Sequence, residues 1–348
     1  MLSSLRIRNF RALQDLHVPR LGRVNLIVGK NNSGKSTILE ALRVYAAQGN
    51  PAVFFDLLEQ HDEVLSFGTG AEEDEPPHRN FFTGRQFPAD ETQIYIGDSE
   101  ETDFLKIEHR VLPEESFTSR DEPDQGLFIT SSRYPGVRGF SLSLPRKLIA
   151  KRRPGQIPVG YVPPGVHPTS TLAEHWDALT LTSYDQTIID GLRIIEPDVE
   201  GVAFVKHADE MRGRTPIVKL AGQKRPVALA SMGDGMMRVL QLLLLLAPAR
   251  AGLYLADEFE NGLHYSVQER VWDMIFKLAK DQDAQVFATT HSWDCIEAFR
   301  TAAQKTEEPA VLLRVGRSAL KGDEGKTIAT VFDKDELETL NQLDVEVR

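Results

Sequence analysis

The stretch Val24-Asn-Leu-Ile-Val28, running straight into Gly29-Lys-Asn-Asn-Ser-Gly-Lys-Ser36, constrains this chain more than any other. Residues 24–28 read as a buried strand, 29–36 as a glycine loop and Thr37–Ala47 as a helix. The loop fits G-x-x-x-x-G-K-[ST] in full. Gly29 and Gly34 let backbone N–H groups close around phosphate oxygens, where a Cβ would intrude. The helix behind aims its positive dipole end at the same phosphates. Lys35 reaches the β- and γ-phosphates and Ser36 ligates Mg²⁺, while Asn31, Asn32, Ser33 and Thr37 complete the expected ATP-binding loop.

Three further stretches belong with that loop. Leu253-Tyr-Leu-Ala-Asp257-Glu258 is an apolar strand ending in two carboxylates. At the carboxyl edge of a parallel sheet, Asp257 holds the Mg²⁺ shell and Glu258 orients and deprotonates a water for attack on the γ-phosphate. Val286-Phe-Ala-Thr-Thr290-His291 is a second buried strand, with His291 placed to hydrogen-bond the γ-phosphate. Ser231-Met-Gly-Asp-Gly235 lies between a strand-like piece, Pro226 to Ala230, and a helix over 236–247. The Ser231 hydroxyl, the N–H groups of Gly233 and Gly235 and a helix N-terminus make a second anion cradle, and Asp234 between the glycines is counted with the expected ATP-binding residues. One nucleotide already has its phosphates wrapped by the first loop. The second cradle is therefore read as capping a nucleotide held by another copy, so that the site is completed only in an ATP-bridged homodimer. The plainer alternative is a helix cap at Ser231 or Asp234.

Composition narrows the rest. A net charge of −11 repels polyanions, so nucleic-acid contact needs a local basic patch such as Lys147, Lys151, Arg152, Arg153 or Lys219, Lys224, Arg225. One cysteine, Cys295, leaves no internal disulfide. The opening MLSSLRIRNFRAL has arginines where a signal peptide is apolar, and the run Val239 to Ala247 is too short to span a membrane. The expectation is a cytoplasmic protein with no membrane contact.

Leu5–Phe10 alternates as a half-exposed strand, and strand pieces at Gln93–Ile96 and Leu105–Val111 sit among the acidic runs EQHDEV, AEEDEPP, SEETD and RDEPDQ. These runs read as solvated loops of an antiparallel strand layer. Ser170–Ile195 reads as a helical segment capped by Ser170 or Thr171, with Glu174 close behind. The expected division is an ATPase core over 1–165 and 200–348, including the acidic region 50–150, with a helical lobe inserted at 166–199.

The order of glycine loop, serine-glycine loop, DE strand and strand-end histidine resembles the ABC-type ATPases. More narrowly, LRIRNFRALQDL with VNLIVGKNNSGKSTILEAL, and DEFENGLH with its Glu260 and Leu263-His264, resemble the branch holding RecF, the SMC proteins and the OLD family. LAEHWDALTLT and the ending LDVEVR are similar to stand-alone OLD-like ATPases. The resemblance implies an α/β ABC-type ATPase head: a mostly parallel sheet, an antiparallel strand layer and a helical insert. It also implies that Ser231, Gly233 and Gly235 meet the partner's nucleotide. Three departures stand out. Phe259 replaces the usual proline after DE, no clear glutamine follows Val162, and SMGDG lacks the glutamine of transporter ATPases. The segment 292–348 is too short to hold a Toprim nuclease domain besides the end of the sheet, so the expectation is an ATPase without that domain.

Three functions compete at this level. The first is an ATP-hydrolysing motor or switch working on or beside DNA, in anti-phage defence or DNA repair with a separate nuclease or toxin effector. The second is a regulator whose ATP-bound dimer docks a partner protein without touching DNA. The third, a transporter ATPase, is disfavoured by the N-terminal strand pattern and the missing glutamine.

Overall fold

Alternation along three strands sets the architecture. In β3 (Val24–Val28), Val24, Leu26 and Val28 enter one hydrophobic cluster and Ile27 enters another. In the strands numbered below as β12 (Leu253–Ala256) and β13 (Gln285–Thr290), Tyr254, Ala256, Val286 and Ala288 join the first cluster, and Leu253, Leu255 and Phe287 the second. A sheet that buries both faces must be sandwiched, and near-continuous apolar strands are how parallel sheets meet that need.

The computed structural model describes residues 1–63, 77–88, 92–111, 125–141, 155–206, 213–323 and 325–338. The central sheet has six strands, ordered β15-β14-β3-β13-β12-β8, where β8 is Val159–Val162, β14 Ala310–Arg317 and β15 Thr327–Phe332. All neighbours pair in parallel except β15, which closes one edge antiparallel to β14.

On one face lies the second cluster. It is built from α1 (Lys35–Ala46), α2 (Pro51–Gln60) and an antiparallel sheet ordered β2-β1-β4-β5-β6-β7. Its strands are β1 (Leu5–Phe10), β2 (Leu13–Val18), β4 (Ile94–Gly97), β5 (Phe104–Val111), β6 (Gln125–Ser131) and β7 (Tyr134–Ser141). On the other face lie α5 (Asp234–Leu244), α6 (Tyr265–Asp281) and α7 (Trp293–Gln304). Beyond them pack α3 (Thr169–Leu179), α4 (Ser183–Leu192) and a small sheet ordered β11-β10-β9. Its strands are β9 (Val199–Lys206), β10 (Arg214–Leu220) and β11 (Val227–Ala228). A short helix α8 (Lys334–Glu338) follows β15.

Several local expectations are corrected. The helical segment 170–195 is two helices, broken where Leu181 takes a left-handed φ of 66° and Thr182 caps α4 by accepting the Tyr184 N–H. Neither Ser170 nor Thr171 caps α3, whose N-cap is Pro168 with no side-chain bond. The strand expected at 226–230 shrinks to Val227–Ala228 and becomes a 3-10 turn over Leu229–Met232. Helix α2 was not foreseen, although Asn50-Pro51 is a capping signal: Asn50 accepts the Ala52 N–H and proline starts the helix.

The described parts of the acidic runs are mostly exposed, as expected, although several of their carboxylates are paired. Glu63 forks onto Arg11, and Arg11 also pairs with Glu40 at 2.8 Å. Glu101 pairs with Arg8 and Lys106, and Asp103 with Arg133. AEEDEPP (but for its last proline), RDEPDQ (but for Gln125), Lys147–Arg153 and the ending LDVEVR lie outside the described residues.

In the antiparallel half, His78 is 1% exposed against the rings of Phe55, Phe81 and Phe140, and neither ring nitrogen has a hydrogen-bond partner among the described residues. Burial pulls its pKa down to about 4. The unfolded chain therefore takes up a proton near pH 6.5 that the folded chain refuses until about 4. Stability falls as pH drops through that window, by up to about 3 kcal/mol. Thermal midpoints between pH 7 and 4 should show this loss, and His78→Leu should flatten it.

Candidate functional site

Strand register brings the motifs to one edge. Val28 pairs with Thr290, so Gly29 and His291 leave the sheet side by side. Ala256 pairs with Ala288, so Asp257 stands level with Thr289. The chain order of the motifs thus becomes a spatial order β3-β13-β12, with the phosphate loop, the histidine and the carboxylates at adjoining strand ends.

The glycine loop is shaped by its packing. Gly29 has φ +148°, and a Cβ there would meet the Val315 carbonyl oxygen at 2.1 Å. Gly34 caps α1 at φ +102°, also a backbone state that excludes ordinary side chains. The Lys35 ammonium donates to the carbonyls of Gly29 (2.7 Å) and Lys30 (2.9 Å). Burial pulls its pKa down, and Asp257, Glu258 and Glu260 oppose that pull. The Ser36 hydroxyl donates to Asp257 Oδ1 at 3.1 Å.

Together Asn31, Asn32, Gly34, Lys35, Ser36, Thr37, Asp257, Glu258, Thr289 and His291 line a cleft of about 270 Å³. Ser33 is buried behind it. One hydroxyl and one carboxylate beside a phosphate loop are the donor set Mg²⁺ takes, since that ion fills its octahedron with waters and substrate phosphates. A larger cleft of about 540 Å³, between Arg43, Tyr161, His167 and His175, holds none of the motif residues.

Two residues that sequence reasoning missed hold the carboxylates. The Thr289 hydroxyl donates to Asp257 Oδ1 and accepts the Glu258 N–H at 2.8 Å. Arg238, one turn into α5 and 4% exposed, donates to the carbonyls of Pro163, Asp257, Glu258 and Phe259. Glu258 needs such support because its φ is +48°, a strained state for a side chain of that size. Two threonines closing an apolar strand, and a lone arginine in MMRVLQLLLLL, were the available signals.

The same contacts explain two departures from the family pattern. The Phe259 N–H donates to the Thr289 carbonyl at 2.9 Å, which proline could not do, and its ring stacks on Trp272 at 3.7 Å. Beyond Val162, where the resembled ATPases carry a glutamine and this chain has none, the Pro163 and Pro164 carbonyls accept from Arg238 and Asn261.

The serine-glycine turn lies elsewhere. Ser231, Gly233 and Asp234 are exposed, Gly235 is half-buried, and none of them lines the cleft. Neither Ser231 nor Asp234 caps α5: the Ser231 hydroxyl donates to the Ala228 carbonyl, and the N-cap is Gly233, with no side-chain bond. The N-cap residue therefore offers the first amides of α5 no side-chain acceptor. The turn packs on the carboxylate segment, where a Cβ on Gly235 would stand 3.0 Å from the Gly262 carbonyl oxygen. Of the described basic cluster, Lys219 is paired with Glu200 at 3.0 Å.

Parts of the chain match known ATPase families. The family described as "AAA ATPase domain" matches residues 1–125, and the family described as "AAA domain, putative AbiEii toxin, Type IV TA system" matches 183–294. An ATP/GTP phosphatase of Helicobacter pylori is 22% identical over 331 residues, covering 85% of this chain and 87% of that protein. An uncharacterized protein of Methanocaldococcus jannaschii is 39% identical over 61 residues, which are 17% of this chain and only 28% of that one. The crystal structure of an SMC head bound to the C-winged helix domain of ScpA superposes with a TM-score of 0.53 at 12% identity, covering 96% of this chain and 99% of that one. In fold the chain resembles the SMC ATPase head, and over residues 1–125 and 183–294 it matches AAA ATPase family models. Among the described residues, no helix is long and apolar enough to cross a membrane.

Thr289→Val removes both hydroxyl bonds while keeping the shape. It should lower kcat for ATP about 10- to 100-fold with KM within about threefold, and Thr289→Ser should restore most of the rate. Steady-state phosphate release measures both.

Proposed function

We propose that this chain is a Mg²⁺-dependent ATPase that works as an ATP-bridged homodimer. In each site Lys35 and the 29–36 loop hold the phosphates, Ser36 and Asp257 hold the ion, and Glu258 activates the attacking water. His291 contacts the γ-phosphate, and the partner's Ser231, Gly233, Asp234 and Gly235 close over it. The observation that carries this reading is the pairing of a complete phosphate cleft with an exposed, uncapped helix start outside it. An anion cradle on the surface has no phosphate of its own to hold, and a second copy brings one. We read 166–199 as a helical lobe inserted in the ATPase core, and the protein as cytoplasmic.

The setting we favour is a defence or nucleic-acid-linked system in which a separate effector reads the ATP state. The family match over 183–294, whose description names a putative toxin of a toxin–antitoxin system, supports it. The second reading, a switch that docks a partner protein, draws support from the similar SMC head, which binds the winged helix domain of ScpA.

Glu258→Gln should retain ATP and accumulate as a dimer in light scattering with Mg²⁺-ATP, while Lys35→Ala should stay monomeric under the same conditions. A Glu258→Gln protein that hydrolyses ATP at the wild-type rate, or stays monomeric when saturated with ATP, contradicts the proposal.

A further inference from the structure

Glu260 is a carboxylate with no task so far, and it is buried, at 9% exposure, beside the catalytic edge. Its Oε1 accepts the His291 backbone N–H at 3.2 Å and stands 3.4 Å from Nδ1 of the same residue. Its Oε2 is buried without a hydrogen-bond partner among the described residues. A carboxylate withdrawn from water and only half satisfied destabilises the fold, so its place needs a reason other than stability.

Nearby charges reduce that cost. Lys35 and Arg238 are both stabilised as cations by Glu260. The turn that carries it is also firm: the Leu263 N–H closes back on the Glu260 carbonyl at 2.8 Å, and the preceding Phe259 is stacked on Trp272.

His291 has the complementary problem. Its backbone is fixed between the end of β13 and the start of α7, where Thr290 Oγ1 accepts the Ser292 N–H and Ser292 caps the helix. Its side chain, however, is 51% exposed. On its inner side the ring faces Glu260, and on its outer side it lines the phosphate cleft.

We propose that Glu260 is a positioning residue for His291, holding the ring with Nδ1 inward and leaving Nε2 toward the cleft. In the neutral ring this places the proton on Nδ1. A ring that donates from Nε2 to a γ-phosphate oxygen keeps its Nδ1–H on Glu260, whose charge lies beside it. The inference rests on reading His291 as a γ-phosphate contact.

Kinetics and ring spectroscopy on the full chain test it. Glu260→Ala should lower kcat about tenfold with KM within about threefold. Glu260→Asp keeps the charge but draws it back from the ring, and it should lose as much. In a His291→Ala background, Glu260→Ala should cost nothing further, because the two act as a unit. Nitrogen NMR of histidine-labelled protein, with the His291 signal identified by its absence in His291→Ala, should show the Nδ1-protonated tautomer in the wild type and its loss in both Glu260 variants. Independent, multiplying losses in the double variant, or an unchanged tautomer, overturn the proposal. Normal hydrolysis by His291→Ala also overturns it, while the ATPase reading, which rests on Lys35 and Glu258, would stand.

Discussion

The hydrogen-bonded register of three parallel strands, β3, β13 and β12, is the constraint on which the site depends. It puts Gly29 beside His291 and Asp257 beside Thr289, although these residues are far apart in sequence. A slip of one residue would turn Leu26 or Phe287 to the wrong face and separate the motifs at once. Burial on both faces makes that slip prohibitive. The same apolar packing that stabilises the sheet therefore also sets the distances among the polar groups at its edge.

At that edge the protein holds carboxylates in place with fixed dipoles and bonds. Thr289 links Asp257 to Glu258, and Arg238 gathers the carbonyls of three consecutive residues and of Pro163. Glu258 stays in a left-handed backbone state because its N–H and its carbonyl are both held. Strain maintained in this way is preorganisation: the groups need not rearrange when charge develops on a phosphate. Phe259 belongs to the same device, since its N–H and its ring anchor the residue after Glu258.

Much of this was legible in the sequence, for physical reasons that differ by element. The buried strands showed as apolar runs, and the phosphate loop showed because its glycines are demanded by backbone geometry. The break between α3 and α4 was hidden, because Thr180-Leu181-Thr182 carries no glycine or proline and Leu181 adopts φ 66° unaided by composition. Strands β6 and β7 were hidden by their weak alternation, in QGLFITS and YPGVRGFS. Thr289, Arg238 and Glu260 could not be assigned, because a buried threonine, arginine or glutamate declares its partner only in three dimensions. The ion pair of Glu63 with Arg11 was misread as solvent-facing charge for the same reason.

In the proposed dimer, two copies share each phosphate group between them. Mixing two damaged chains tests it most directly. Lys35→Ala lacks the grip on its own phosphates, and Ser231→Arg blocks the cradle offered to the partner; each alone should be inactive. Combined in equal amounts, they should regain ATP hydrolysis up to about half the wild-type rate, since only the mixed dimer assembles and it has one whole site of two. A mixture no more active than its two parents would contradict a site built from two molecules.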